Sequence, residues 1–292
     1  MSILLDQSNK IIIQGITGDL GIQITKMLIR NETNIVGGVS PNKGGEWVLE
    51  GKIPVFETVR SAIDATEANT SIIVVPPSNA TEAIFEAFES GISLVVCISS
   101  GIPVQEMVRV RMYLEGRNCR LIGPGSPGLC IPDEISVGIL PHTRIKKGKI
   151  GVVSRSSTLA FQIMDFLCEK GLGISAFVGM GDAPISGTDM KDVLGMFEED
   201  SGTDIILLVG EQGGFQEENA AKYFSQHITK PMIGYIAGQS GLLDPYFLQN
   251  TLFSRNQIHS VNGKIAALKN AGVKVALTIN EIPGLLKSAS YF

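Results

Sequence analysis

Beyond the short basic stretch Arg144–Lys149, no Lys/Arg-rich block appears in this chain, and its formal charge is −5. That balance offers no basic field to a nucleic-acid backbone, so nucleic acid is not an expected partner. Long apolar runs are missing too: the longest, such as residues 71–77 and 94–98, fall far short of the roughly 20 residues a membrane-spanning helix needs. The start of the chain lacks a basic-then-apolar signal pattern. A soluble, cytoplasmic protein with no membrane contact is expected. Cys97, Cys119, Cys130 and Cys168 show no CxxC spacing, and two of them lie in apolar runs where a reduced thiol behaves as a small hydrophobe. A reducing compartment fits, and no metal site is evident.

What is present in quantity is glycine, 33 residues in 292, with 44% apolar residues. This is enough chain for two domains, and the glycines suit an α/β protein with many tight strand-helix turns. Short β-branched runs alternate with amphipathic segments, the pattern of parallel sheets covered by helices. In the first half strands are expected at 10–14, 34–39, 71–75, 94–98 and 120–122, and helices near 20–30, 80–89 and 104–115. A turn-rich passage from Gly123 through Pro124, Pro127, Pro132 and Pro141 to Lys149 breaks the alternation. Beyond it strands are expected at 149–153, 174–178, 204–209, 232–236 and 273–277, with helices near 158–170, 190–199, 216–226 and 263–271. The predicted organisation is two doubly wound domains, 1–145 and 146–292.

Each half carries a strand-to-helix loop suited to an anion. The first runs Ile11-Ile-Ile-Gln-Gly-Ile-Thr-Gly-Asp-Leu-Gly21 and the second Ile150-Gly-Val-Val-Ser-Arg-Ser-Ser-Thr158. In both, backbone N–H groups at a helix start combine with the partial positive charge of the helix end. The spacing Gly15, Gly18, Gly21 departs from the dinucleotide pattern G-x-G-x-x-G, and the next strand ends without the carboxylate that grips ribose hydroxyls. It ends instead in Gly37-Gly-Val-Ser-Pro-Asn-Lys-Gly-Gly45, with a lysine in a glycine loop. A cation there suits an additional phosphate, as on the 3′ position of coenzyme A, better than the bare diol of NAD. The alternative is that Lys43 is a solvated loop residue and the glycines only make turns. In the second loop the hydroxyls of Ser154, Ser156, Ser157 and Thr158 surround a helix start, where they can cap it or hold a phosphoryl group. A serine-nucleophile elbow would need G-x-S-x-G, which is not there.

The chain as a whole resembles the α subunit of succinyl-CoA synthetase, the NDP-forming succinate–CoA ligase. The likeness runs through Gly37-Gly-Val-Ser-Pro-Asn-Lys-Gly-Gly45, Gly101-Ile-Pro103, Ile122-Gly-Pro124, Gly151-Val-Val-Ser-Arg-Ser156, Glu211-Gln-Gly-Gly214 and Gly234-Tyr-Ile-Ala-Gly238. The resemblance implies an N-terminal Rossmann-like CoA-binding domain and a C-terminal flavodoxin-like domain whose helix start holds the phosphate of a phosphohistidine. It implies CoA contacts at Thr17, Gly18, Asp19, Leu20, Lys43, Ile98, Ser99 and Ser100. It further implies a phosphate site around Ser154, Ser156, Ser157 and Thr158, and a histidine-orienting role for Glu211. The partners implied are an ATP-grasp β subunit, which binds the nucleotide, and a small carboxylic acid. An oligomer is expected.

The departures fall around one ligand. An ungapped reading from Gly238 to Lys274 puts Gln249 where the family has its histidine, and an amide nitrogen is neither a nucleophile nor a base at neutral pH. The segment 242–253 lacks the family's glycines and reads as an apolar patch or short helix. Gly-Pro-Asn-Cys-Pro-Gly becomes Gly123-Pro-Gly-Ser-Pro-Gly128, Ser-Gly-Thr becomes Ser156-Ser-Thr158, a substrate-side tyrosine becomes Phe161, and a glutamate becomes Ser100. His259 is the one histidine near the missing motif, either a relocated phosphoryl carrier or a surface loop residue. His142 and His227, in a proline turn and at a helix end, suit solvent or cap roles. Three functions follow: a divergent acid–CoA ligase subunit, a non-catalytic CoA-binding or regulatory paralogue, or a transferase using the same site.

Overall fold

The computed structural model describes residues 3–140, 145–238 and 260–289. Packing divides the chain into two units: Leu4–Thr143 with Gly179–Thr188, and Arg144–Val178 with Asp189–Phe292 and Met1–Ile3. The return of Gly179–Thr188 into the first unit is a feature no single cut in the sequence contains. Both units are α/β, matching the expected Rossmann-like and flavodoxin-like pair.

In the N-terminal unit β1 (Ile11–Gln14), β2 (Ile35–Val39), β5 (Thr70–Ile73), β6 (Leu94–Cys97) and β7 (Arg120–Ile122) form a sheet with β3 (Trp47–Val48) and β4 (Ile53–Phe56), in the order β3-β4-β2-β1-β5-β6-β7. β1 pairs in parallel with β2 on one side and β5 on the other. The chain therefore reverses its direction of travel across the sheet between β1 and β5, the switch point where open α/β sheets leave a crevice at their carboxyl ends. β1, β5 and β6 are buried along their whole length, as strands covered on both faces must be. The one long polar side chain among them, Gln14, is satisfied: its Nε2 donates to Ala83 O at 3.0 Å and its Oε1 accepts from the Ser71 hydroxyl at 2.8 Å. Helices α1 (Asp19–Arg30), α2 (Val59–Thr66), α3 (Pro77–Ser90) and α4 (Val104–Leu114) join the strands.

Two stretches of the N-terminal unit differ from the sequence expectation. β4 and α2 were not expected, because Pro54 interrupts a short strand pattern and α2 has only 8 residues. The strand nevertheless pairs with β2, and Thr58 and Ser61 close a reciprocal capping box that starts the helix. The proline-rich passage after Gly123 is not all turn: β8 (Gly128–Ile131) and β9 (Ile135–Gly138) make an antiparallel hairpin. Its prolines lie outside the paired residues, at 127 and 132.

In the C-terminal unit β10 (Lys147–Ser154), β11 (Ile174–Gly179), β12 (Ile205–Gly210), β13 (Met232–Ile236) and β14 (Lys274–Ala276) run in the order β14-β13-β12-β10-β11. Helices α5 (Ser157–Glu169), α6 (Met190–Glu199), α7 (Gln216–His227), α8 (Val261–Asn270) and α9 (Ile282–Ala289) complete the described part. Among the described residues no helix is long and apolar enough to cross a membrane.

Candidate functional site

The first site lies on the loops at the carboxyl ends of β1, β2 and β6. Gly15 takes a left-handed φ of 87°, and its N–H donates to Val39 O at 2.9 Å. Gly21 brings α1 hard against this turn: a Cβ there would stand 2.3 Å from Gly15 O. Gly18 is the N-cap of α1 and offers no side chain to the helix start. Gly18, Asp19 and Leu20 are exposed, and the first-turn N–H groups have no partner within the helix. The Thr17 hydroxyl lies 2.8 Å from that of Ser40, which ties the first loop to the loop after β2.

That second loop is held by Glu57. Its carboxylate accepts the N–H groups of Asn42 at 2.7 Å and Gly44 at 3.1 Å, and these bonds hold its pKa below the ordinary glutamate range, Asn42 contributing most. Between them Lys43 has a fixed backbone and an exposed side chain. Ile98, Ser99 and Ser100 follow β6. Ile98 N–H donates to Ile73 O at 3.0 Å and the Ser99 hydroxyl donates to Val75 O at 2.6 Å, while Ser100 is exposed. Gly125 N–H donates to Ser99 O at 2.9 Å, with Gly125 itself at a left-handed φ of 69°.

The second site surrounds the end of β10. Ser156 is the N-cap of α5, yet its hydroxyl makes no capping bond. Its backbone N–H donates instead to Ser154 Oγ at 3.1 Å, and that hydroxyl donates back to Ser156 O at 2.8 Å. Ser154 is buried, Ser156 and Ser157 are half-buried and Thr158 is exposed. Between these serines Arg155 turns inward, its side chain only 4% exposed. Its Nη1 donates to Gly213 O at 2.6 Å and meets Glu217 Oε1 at 3.3 Å, and its Nη2 lies 3.8 Å from Glu211 Oε1. The start of α5 adds the partial positive charge of a helix end at this loop.

Arg155 belongs to a buried charge network that reading the sequence missed. Lys264 Nζ donates to Glu217 Oε2 at 2.5 Å, Glu218 Oε2 at 2.8 Å and Gly214 O at 2.9 Å. Glu217 also accepts the N–H of Glu211 at 3.1 Å. Two cations thus face three carboxylates, of which Glu211, 27% exposed, is the most accessible to solvent. The signal available in sequence was Lys264 four residues before Leu268, on the face α8 buries. His227 sits in the last turn of α7, its ring 4.6 Å from Tyr223. His142, His259, Gln249 and the segment 242–253 lie outside the described residues. Among the described residues no group of three or more His, Cys, Asp or Glu side chains could hold a metal ion.

Two departures from the family pattern have a local explanation. At Gly125, at a left-handed φ of 69°, a Cβ would stand 2.7 Å from Asp182 Oδ1, so the Asp182 side chain would have to shift to admit an asparagine. The Ser126 hydroxyl donates to Gly179 O at 2.6 Å and accepts the N–H of Gly128 at 2.9 Å, a fully engaged buried group.

One α/β unit thus has a glycine-rich helix start at its sheet switch point and the second a serine-lined helix start. Residues 6–101 match the CoA binding domain and residues 147–287 the succinyl-CoA ligase like flavodoxin domain. The chain belongs to the succinate–CoA ligase alpha-subunit family. It is 41% identical to the succinate–CoA ligase [ADP-forming] subunit alpha of Staphylococcus aureus strain Mu50 over 290 residues, 99% of this chain and 95% of that protein. The corresponding Staphylococcus epidermidis subunit from strain ATCC 12228 is 40% identical over the same coverage.

Among solved structures, ATP citrate lyase from Methanothrix soehngenii, in complex with citrate and coenzyme A, shares the fold. Its TM-score is 0.85 at 20% identity, over 98% of this chain and 50% of that one. The dinucleotide forming acetyl-coenzyme A synthetase 1 of Ca. Korarchaeum cryptofilum, in its apo form, gives 0.75 at 21% identity, over 98% and 61%. This chain spans about half the length of the first and three fifths of the second.

Proposed function

We propose that this chain is the CoA-binding, alpha-like subunit of an NDP-forming acid–CoA ligase of the succinyl-CoA synthetase type, with its phosphoryl relay lost or altered. The observation that carries the CoA half is the Thr17–Ser40 contact, which holds an amide-lined helix start beside a pinned loop bearing an exposed lysine. These residues fit CoA: the first-turn N–H groups of Asp19 and Leu20 would take the pyrophosphate, and Lys43 the 3′-phosphate. Leu20, 52% exposed, offers apolar contact to the pantetheine arm, and Ile98, Ser99 and Ser100 would line its path. Bound CoA supplies the thiol that becomes the thioester.

In the C-terminal unit the start of α5 with Ser154, Ser156, Ser157 and Thr158 would hold a phosphoryl group, and Glu211 would orient the group carrying it. Gln249 favours the second reading, a non-catalytic CoA-binding or regulatory paralogue, because glutamine cannot carry phosphate. A transferase using the same site, and a relay moved to His259, are further outcomes. The partners proposed are an ATP-grasp β subunit and a small carboxylic acid, in an oligomer. A reducing, cytoplasmic setting is supported by the free thiols of all four cysteines. Calorimetry with CoA tests the reading. CoA should bind and NAD should not, and Lys43→Ala should weaken CoA by about 1–3 kcal/mol, the scale of a charge-assisted bond. Equal CoA affinity in parent and variant, or tight NAD binding, would sink the assignment.

A further inference from the structure

The chain has one tryptophan, Trp47, and it is 60% exposed. Burying so large a ring against apolar surface is strongly favourable, so a tryptophan left in water on an ordered strand needs a reason. Its backbone is not loose. Trp47 pairs with Pro54 and Val48 with Ile53. Immediately before it, Gly45 N–H donates to Val55 O and Val55 N–H donates to Glu46 O, both at 2.9 Å.

The position relative to Lys43 is equally fixed. Glu46 N–H donates to Lys43 O at 3.2 Å, closing a four-residue turn whose ends therefore lie within about 7 Å. Trp47 is the next residue after that turn. Glu57 pins the same turn from below through the N–H groups of Asn42 and Gly44. β4 runs parallel to β2, with Val55 level with Gly38 and Phe56 with Val39. Trp47, level with Pro54, stands only about 7 Å back along the strand from the level of Phe56, at the carboxyl end where the first site opens.

An exposed indole on a fixed backbone, one turn away from an exposed lysine, matches a ligand that joins a phosphate to an aromatic base through a single sugar. Resting on the assignment of Lys43 to the 3′-phosphate of CoA, we infer that Trp47 is the platform on which the adenine of CoA stacks. Every base has a π face, and stacking on an aromatic side chain requires no hydrogen-bond pattern. The pair Lys43 and Trp47 would then recognise the 3′-phosphoadenosine end as a unit, independent of the pantetheine arm.

Because the chain has a single tryptophan, its fluorescence reports on Trp47 alone. The full-length protein is titrated with CoA, 3′,5′-ADP and pantetheine, following emission and calorimetric heat in parallel, for the parent, Trp47→Ala and Trp47→Phe. CoA and 3′,5′-ADP should change the emission with the calorimetric midpoint, and pantetheine should not. Trp47→Ala should bind CoA and 3′,5′-ADP roughly 5- to 150-fold more weakly, the range for loss of one base stack, with pantetheine unaffected. Trp47→Phe should recover most of the loss. CoA binding by calorimetry with silent emission, or with unchanged affinity in Trp47→Ala, overturns the role of Trp47 and leaves the CoA assignment standing. No calorimetric CoA binding in the parent overturns both.

Discussion

Lys264 and Glu217, both with side chains 0% exposed, meet at 2.5 Å, and they join the helix α8 to the first turn of α7. The same Glu217 accepts the N–H of Glu211 at 3.1 Å, so the buried pair sets the backbone of the carboxylate proposed to act at the phosphoryl site. A buried pair of this kind adds little net stability over a well-packed apolar pair, but breaking it strands a charge. Lys264→Met should therefore lower unfolding stability by about 3–5 kcal/mol. Thermal or denaturant melting checks this, and Glu217→Gln added to Lys264→Met should recover part of the loss. A Lys264→Met protein as stable as the parent would show that the network carries no such weight.

The loop holding Lys43 should respond to acid through Glu57. Its pKa is lowered by the N–H groups of Asn42 and Gly44, so the ionised form is favoured in the folded state. The stabilisation is present above the ordinary glutamate range and is lost as pH falls through the lowered folded value. Amide exchange at Asn42 and Gly44 should accelerate over that acid window in the parent. In Glu57→Gln it should already be fast at neutral pH and change little on acidification, beyond the intrinsic dependence of exchange. Equal protection of the two amides in parent and variant would show that Glu57 does not hold the loop.

Restoring the family's asparagine at position 125 should harm this protein. Gly125 has a φ of 69°, and the added Cβ would meet Asp182 Oδ1 at 2.7 Å. Asparagine tolerates the left-handed region, so most of the cost should come from the contact. A loss of about 1–3 kcal/mol is expected, as for overpacking, and Asp182→Ala should relieve it. Full stability of Gly125→Asn, by the same melts, would mean the loop yields freely.

Much of this architecture was legible because it is written in local periodicity. The runs at 11–14, 94–97, 205–210 and 232–236 are short, apolar and bounded by turn residues, and each is a buried strand. β4 was missed because Pro54 lies inside it. Its tolerance depends on tertiary pairing, with Pro54 facing Trp47 of a two-residue strand. The β8–β9 hairpin was missed because four prolines nearby outweighed four-residue strands. The Arg155–Glu217–Lys264 network joins residues far apart in the chain, so no window of sequence contains it. Thr17 was legible as a loop residue, but its contact with Ser40 follows only from parallel pairing of β1 with β2.

Incubated with labelled ATP or GTP and an authentic β subunit, this protein should take up no acid-labile phosphate. A phosphoryl carrier must be a nucleophile that also leaves, and the amide of Gln249 is neither. Labelling that disappears in His259→Ala would show instead that the relay has moved. Where labelling is absent, Gln249→His alone should not restore turnover. The serine loop has Ser157 where the family has glycine, Phe161 lies 6.2 Å from Phe177 where the family has a tyrosine hydroxyl, and a side chain at Gly125 would have to displace Asp182. Groups that act as a unit do not recover one at a time, since each single restoration leaves the others unmatched to the transition state. Full ligase activity in Gln249→His would overturn this view, reducing the divergence to one residue in an otherwise competent site.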